Sequence, residues 1–223
     1  TEECDAAPEY KQAFLKAGPD DIMIVKSPVG MPGRALRSPL TERLKPGVFT
    51  GVKNCVKCLR PCNPAKTPYC ITAALTAAGY RAEGLVVDVT SVKSIRASVD
   101  RAVERMGGLD ILVNCTGLHI EQPMLEVTEE AFDAVYRVNL KASMFLGQAA
   151  ARAMVAANRP GRIVHFLSVR SQLALRNRGY SAYCSTKGGQ VMMVKQHAME
   201  LAPHGITVNG IAPTFVYTEQ IRH

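Results

Sequence analysis

The residues best suited to chemistry lie between Ser168 and Lys187. Tyr183 and Lys187 stand four apart, as Tyr-x-x-x-Lys, which on a helix places a phenol and an ammonium on one face. A free phenol has a pKa near ~10 and is a poor acid or base at neutral pH. A cation beside it favours the phenolate and lowers that value. Ser168 follows the apolar run Ile163–Leu167, so its hydroxyl could hold a carbonyl oxygen next to the phenol. Such a set suits proton transfer to or from an alcohol while a hydride moves elsewhere. Taken alone, the motif is weak, and a half-exposed helix face with a snorkelling lysine is the simpler reading.

Composition narrows the setting. A chain of 223 residues with 47% hydrophobic content can bury a core as one large or two small domains. No apolar run approaches the roughly 18–20 residues of a membrane span. The opening residues carry no signal-peptide pattern, and Thr1 in place of Met points to a fragment or a processed product. The formal charge is +8, but the Lys and Arg are scattered and aromatics make up only 6%, so a basic surface is the reading and nucleic acid is not expected. Seven cysteines without secretory features imply reduced thiols and a cytoplasmic location.

The first third is loop-rich. Ile22–Lys26 has the length and composition of a strand, and the segment Ser27–Arg34 that follows is broken by prolines and glycines. Its glycines could bring backbone N–H groups to an anion, although a connecting turn is the simpler reading. Cys55, Cys58, Cys62 and Cys70 could converge on zinc or an iron–sulfur cluster. Their spacing is not that of a zinc ribbon, so thiols or a disulfide are preferred and no metal is expected. Ala7–Phe14, Ile24–Ala35, Cys58–Pro64 and Thr67–Ile71 resemble the C-terminal part of nitronate monooxygenases, which carry FMN on a β/α barrel. The resemblance covers roughly residues 1–74 and only the end of such a barrel. A barrel cannot close from its last strands, so FMN is not expected.

From about Leu75 apolar strands alternate with amphipathic helices, the pattern of an open parallel sheet. Strands are expected at Gly84–Thr90, Asp110–Gly117, Ile163–Leu167 and Ile206–Pro213. Helices are expected from a cap at Ser91 or Thr90 to Gly107-Gly108, from Thr128 to about Asn158, and from Ser181 or Ala182 to Ala202. This series resembles the short-chain dehydrogenase/reductase family over roughly residues 75–223. Asp88-Val89 matches the family's acidic pair beside adenine. Asn114-Cys115-Thr116-Gly117 stands where Asn-Asn-Ala-Gly is usual. Asn139, Ser168, Tyr183 and Lys187 match the catalytic tetrad. Pro213 and Thr214 stand after the sixth strand, and Thr218 a few residues on, near the nicotinamide amide. Asn114 has a plain alternative as a satisfier of backbone groups at a strand end.

The resemblance implies an α/β, partial Rossmann-like doubly wound sheet at 75–223, preceded by the loop-rich segment 1–74. It implies a hydride moved between NAD or NADP and a small alcohol or ketone. Tyr183 would be the acid/base and Lys187 would lower its pKa and hold the nicotinamide ribose. Ser168 would polarise the carbonyl and Asn139 would hold a relay water. Family oligomers pack through the helices at 128–158 and 181–202, which implies a homo-oligomer. The family's opening strand and glycine-rich pyrophosphate turn, and its second strand, are missing from the pattern, so weak or absent turnover is expected. Ile22–Lys26 with its loop to Arg34 could fill the vacant place beside strand 110–116. The alternatives are a non-catalytic hybrid of two truncated oxidoreductases, or a flavin monooxygenase resting on the first third.

Overall fold

The computed structural model describes residues 22–26, 47–50 and 82–214. Among them, six strands form one sheet: β1 (Ile22–Lys26), β2 (Gly47–Thr50), β3 (Ala82–Leu85), β4 (Ile111–Cys115), β5 (Gly161–Phe166) and β6 (Ile206–Ile211). Every pairing is parallel, and the order is β3-β2-β1-β4-β5-β6. That order reverses direction between β1 and β4, and in open α/β sheets the crevice beyond the strand ends at such a reversal is where ligands bind.

Two expectations meet the structure here. The segment Ile22–Lys26 does lie beside β4, with Met23 opposite Leu112 and Ile24 opposite Val113. The second strand, read as missing, is supplied by β2 between β1 and β3. Neither strand follows the family pattern in sequence, so pattern reading passed over β2. The loop Ser27–Arg34, Cys55, Cys58, Cys62, Cys70, the 74/75 boundary and Thr218 lie outside the described residues.

The helices are α1 (Val92–Met106), α2 (Glu129–Tyr136), α3 (Ala142–Ala156) and α4 (Ser181–Leu201). Helix α1 is set by its ends. Ser91 Oγ accepts from the Ser94 N–H, and Gly107 closes the last turn at φ 83°, a backbone state that favours glycine. Ile95, Val99 and Ala102 bury one face, and α1 packs on α3. The same core takes Leu112 of β4 and Ile163 of β5, while Ile111 and Val113 point to the opposite face of the sheet with Cys115 and Phe166. This alternation is the period of two of a strand covered on both sides.

The strand expected at Gly84–Thr90 stops at Leu85. Beyond it Val86 is largely exposed, and Asp88 turns the chain: its Oδ1 accepts from the backbone N–H of Thr90 at 2.9 Å and from its hydroxyl at 2.7 Å. That local turn competes with strand pairing and wins. The helix expected from Thr128 to about Asn158 contains an irregularity that periodicity could not show. Residues Arg137–Lys141 form a π turn between α2 and α3, and Asn139 sits inside it. Among the described residues no helix is long and apolar enough to cross a membrane.

Candidate active site

Three elements converge at the C-terminal edge of the sheet. Ser168 follows β5 and opens a short 3₁₀ turn, where its Oγ accepts from the Arg170 N–H at 3.1 Å. Tyr183 and Lys187 lie on the first turns of α4. The Ser168 hydroxyl lies near enough to the Tyr183 phenol to favour its ionised form. Lys187 is buried, 2% exposed, and its Nζ donates to the Phe166 carbonyl at 2.7 Å, fixing α4 to the end of β5. The same Nζ lies 5.8 Å from the centre of the Tyr183 ring.

The electrostatics differ from the simple expectation. Burial pushes the Tyr183 phenol above its usual value, and the Ser168 hydroxyl offsets only part of that. Burial also lowers Lys187 to about 8, with the Cys115 thiol pulling weakly the other way. The ammonium was expected to make the phenol more acidic. In this state desolvation prevails on both groups, and the resting phenol keeps its proton.

Asn139 is fully buried. Its Oδ1 accepts from the Leu118 N–H at 2.7 Å, and its Nδ2 donates to the Leu118 carbonyl at 3.0 Å and to Thr186 Oγ1 at 3.1 Å. Its carbonyl accepts from Ser143 Oγ at 2.6 Å and from Gln190 Nε2 at 2.9 Å. The side chain therefore clamps the loop after β4 onto the π turn and α4. Asn114 is equally committed. Its Oδ1 accepts from the Thr116 N–H and hydroxyl, and its Nδ2 meets Ser143 Oγ at 2.8 Å and His165 Nδ1 at 3.0 Å. It satisfies a backbone group at the end of β4 and braces that strand against α3 and β5.

The other expected positions lie around this centre. Gly117 follows β4, and a Cβ there would meet only Asn139 Oδ1, at 4.0 Å, so the surface above it is open. The Pro213 carbonyl accepts from the Val169 N–H at 3.0 Å, tying the end of β6 to the turn after Ser168, and Thr214 is exposed beside it. Asp88 is exposed and Val89 is buried beneath it, at the far end of the sheet edge on the β3 side.

Residues not singled out from the sequence complete the site. His119, two residues past Gly117, stands edge-on to Tyr180 and Tyr183, with ring centres 4.4 and 5.0 Å away. The loop carrying it is stapled to the loop before α4. The Gln122 N–H donates to the Gly179 carbonyl at 3.0 Å, and Glu121 pairs with Arg178 at 3.1 Å. A Cβ at Gly179 would lie 2.2 Å from the Gln122 carbonyl carbon, so only glycine permits this approach. No spacing rule marks these residues, because the contact joins loops almost sixty positions apart. Below the site, burial pushes the His165 imidazole down to about 3, with His197 and Lys187 adding to it. Its Nε2 and Gln190 Oε1 have no hydrogen-bond partner. Among the described residues there is no group of three or more metal-binding side chains.

A parallel sheet in this order, with helices packed on it, defines a Rossmann-like doubly wound α/β fold. A profile of the short chain dehydrogenase family matches residues 51–223, and the chain belongs to that family. It is 46% identical over 121 residues to human L-xylulose reductase, covering 54% of this chain and 49% of that protein. It is 37% identical over 139 residues to sorbitol dehydrogenase of Cereibacter sphaeroides, covering 62% and 53%. A crystal structure of a short chain dehydrogenase from Mycobacterium smegmatis superposes with a TM-score of 0.74 at 25% identity, covering 88% of this chain and 76% of that one. The chain spans about half the length of the curated relatives it matches. The flavin-barrel resemblance of residues 1–74 finds no support among these relatives.

His165 gives this buried network a signature. Its folded value lies below the unfolded 6.5, so the unfolded chain takes up the proton first as pH falls, and stability present above 6.5 is lost towards about 3. Between about pH 8 and about pH 5 this group alone should remove roughly 2 kcal/mol. Urea unfolding at the two pH values should show that loss, and His165→Asn should lessen it. An unchanged pH dependence in the variant would contradict the assignment.

Proposed function

We propose that the chain is an NAD(P)-dependent oxidoreductase that interconverts a small alcohol and its ketone. The observation that carries the reading is the grouping of Ser168, which acts on the Tyr183 phenol, with the buried Lys187 ammonium 5.8 Å from the phenol ring, at the sheet edge beside the reversal of strand order. The names of the matched relatives, a xylulose reductase and a sorbitol dehydrogenase, agree with an alcohol or ketone substrate.

The nicotinamide half of the cofactor fits the residues present. Gly117 offers open surface, and Lys187 has spent one of its three N–H donors on Phe166. Lys187 would hold the ribose hydroxyls. Thr214 at the end of β6 would meet the amide, and Asp88 with Val89 would flank the adenine. The bound cofactor supplies or accepts the hydride. Ser168 holds the substrate oxygen and Tyr183 donates its proton to that oxygen as the ketone is reduced. The raised pKa of Tyr183 suits a donor that must stay protonated at neutral pH. Lys187 stabilises the phenolate left behind. Asn139, with both side-chain groups and its carbonyl engaged by protein, acts as a positioning residue and not as the holder of a relay water.

Two outcomes test this. Tyr183→Phe should lower ketone-dependent NAD(P)H oxidation by roughly a hundredfold or more while cofactor binding, read by fluorescence, is retained. Equal turnover in the variant would refute the assignment. The rate of reduction should also hold level at lower pH and fall as pH rises through about 8, where Lys187 loses its proton. A profile flat to pH 10 would remove Lys187 from the mechanism.

A further inference from the structure

Three rings meet where the loop after β4 reaches the start of α4. The centres of His119 and Tyr180 are 4.4 Å apart, those of His119 and Tyr183 5.0 Å, and those of Tyr180 and Tyr183 6.4 Å. Their planes cross at 87°, 70° and 66°, so every side of this triangle is an edge-on contact of the kind aromatic pairs prefer. One corner is the reacting phenol, and the other two rings have no assigned work. The triangle is braced from outside. Arg178 Nη2 donates to the Tyr180 hydroxyl at 2.9 Å, and the same nitrogen pairs with Glu121 at 3.1 Å, two residues from His119. The Tyr180 carbonyl accepts from the Cys184 N–H at 2.7 Å, which ties this residue to the first turn of α4.

We propose that Tyr180 and His119, braced by Arg178, are positioning residues that hold the ring of Tyr183 in the orientation its proton transfer needs. The inference rests on the reductase reading and deepens it. The bond from Lys187 to the Phe166 carbonyl fixes where the backbone of Tyr183 lies, but the ring still turns about its side-chain bonds. A helical side chain lies over the turn on the N-terminal side of its own Cα, and that turn normally confines it. Tyr183 is the third residue of α4, so no helical turn precedes it. The confinement has to come from elsewhere, and His119 and Tyr180 are the rings that meet it. They come from the two loops that the Gln122–Gly179 contact joins, so the phenol is held only while both loops are in place. A misplacement of about 1 Å at a reacting group can cost on the order of a hundredfold in rate. The Tyr180 hydroxyl is engaged by Arg178, which leaves its ring as the part that acts on Tyr183.

Tyr180→Leu removes one ring, and Tyr180→Phe keeps the ring and drops the hydroxyl. In Tyr180→Leu, kcat for ketone reduction should fall roughly tenfold while the Kd of NAD(P)H, read by fluorescence, stays within about twofold. Tyr180→Phe should recover most of the lost rate. His119→Leu, which opens the triangle at its other corner, should lose a similar factor. Loss of cofactor binding in step with kcat, or equal rates in Tyr180→Leu and Tyr180→Phe, would overturn the proposal. NMR of the chain made with carbon-13 tyrosine gives a readout that needs no turnover. The ring signal of Tyr183, assigned with Tyr183→Phe, should be single and sharp in the parent and should broaden or split in Tyr180→Leu. Arg178→Met, at an exposed side chain whose loss leaves the core filled, should change the same signal in the same direction. If the signal changes although no ketone is reduced, the reductase reading fails and the positioning role stands. If the signal is the same in parent and variants, the rings do not hold the phenol and the proposal falls, whether or not a ketone is reduced.

Discussion

The hydrogen bond from Lys187 to the Phe166 carbonyl holds the site together. It is made by a charge taken almost wholly out of water, at a cost in solvation that a single carbonyl offsets only in part. The consequence is geometric as much as electrostatic. The bond fixes the first turns of α4 to the last residue of β5. Tyr183 lies one helical turn earlier and Ser168 two residues later, so one contact sets the distance between phenol and hydroxyl. It also leaves the ammonium with donors to spare and with a pKa near 8, close to working pH.

The buried polar layer beneath explains why that contact is rigid. Asn114, Ser143, Gln190, Asn139 and Thr186 share a continuous set of hydrogen bonds joining β4, the π turn, α3 and α4. Such networks are costly when broken and specific when satisfied. The π turn is part of it. By displacing one turn of helix, it leaves the Asn139 carbonyl available to Ser143 and Gln190 and aims the Asn139 amide at Leu118. The loop after β4, which carries His119, therefore has a fixed base on one side and the Gln122–Gly179 contact on the other.

Much of this was legible in the sequence, and the gaps have physical causes. Strands β4, β5 and β6 and helices α1 and α4 follow from apolar periodicity and end signals such as Ser91 and Gly107. Tyr183 and Lys187 share a helix face, as their spacing requires. Strand β1 was readable as a candidate, but its place beside β4 depends on long-range pairing, which local pattern does not encode. Strand β2, four residues long, was passed over for the same reason. The shortening of β3 turned on one side chain, Asp88, competing for the backbone. The balance between burial and the ammonium at Tyr183 required knowing how deeply each group is buried, and His119 became visible only once two distant loops were brought together.

The site depends on a desolvated ammonium at Lys187 held against the end of β5 beside the Tyr183 phenol. Titration of lysine side chains by NMR, with Lys187→Met to assign the signal, measures it directly. A midpoint near 8 in place of the ordinary 10.5 is the expected result. A midpoint at the ordinary value would mean that the ammonium is solvated, and the site described here would not exist in solution.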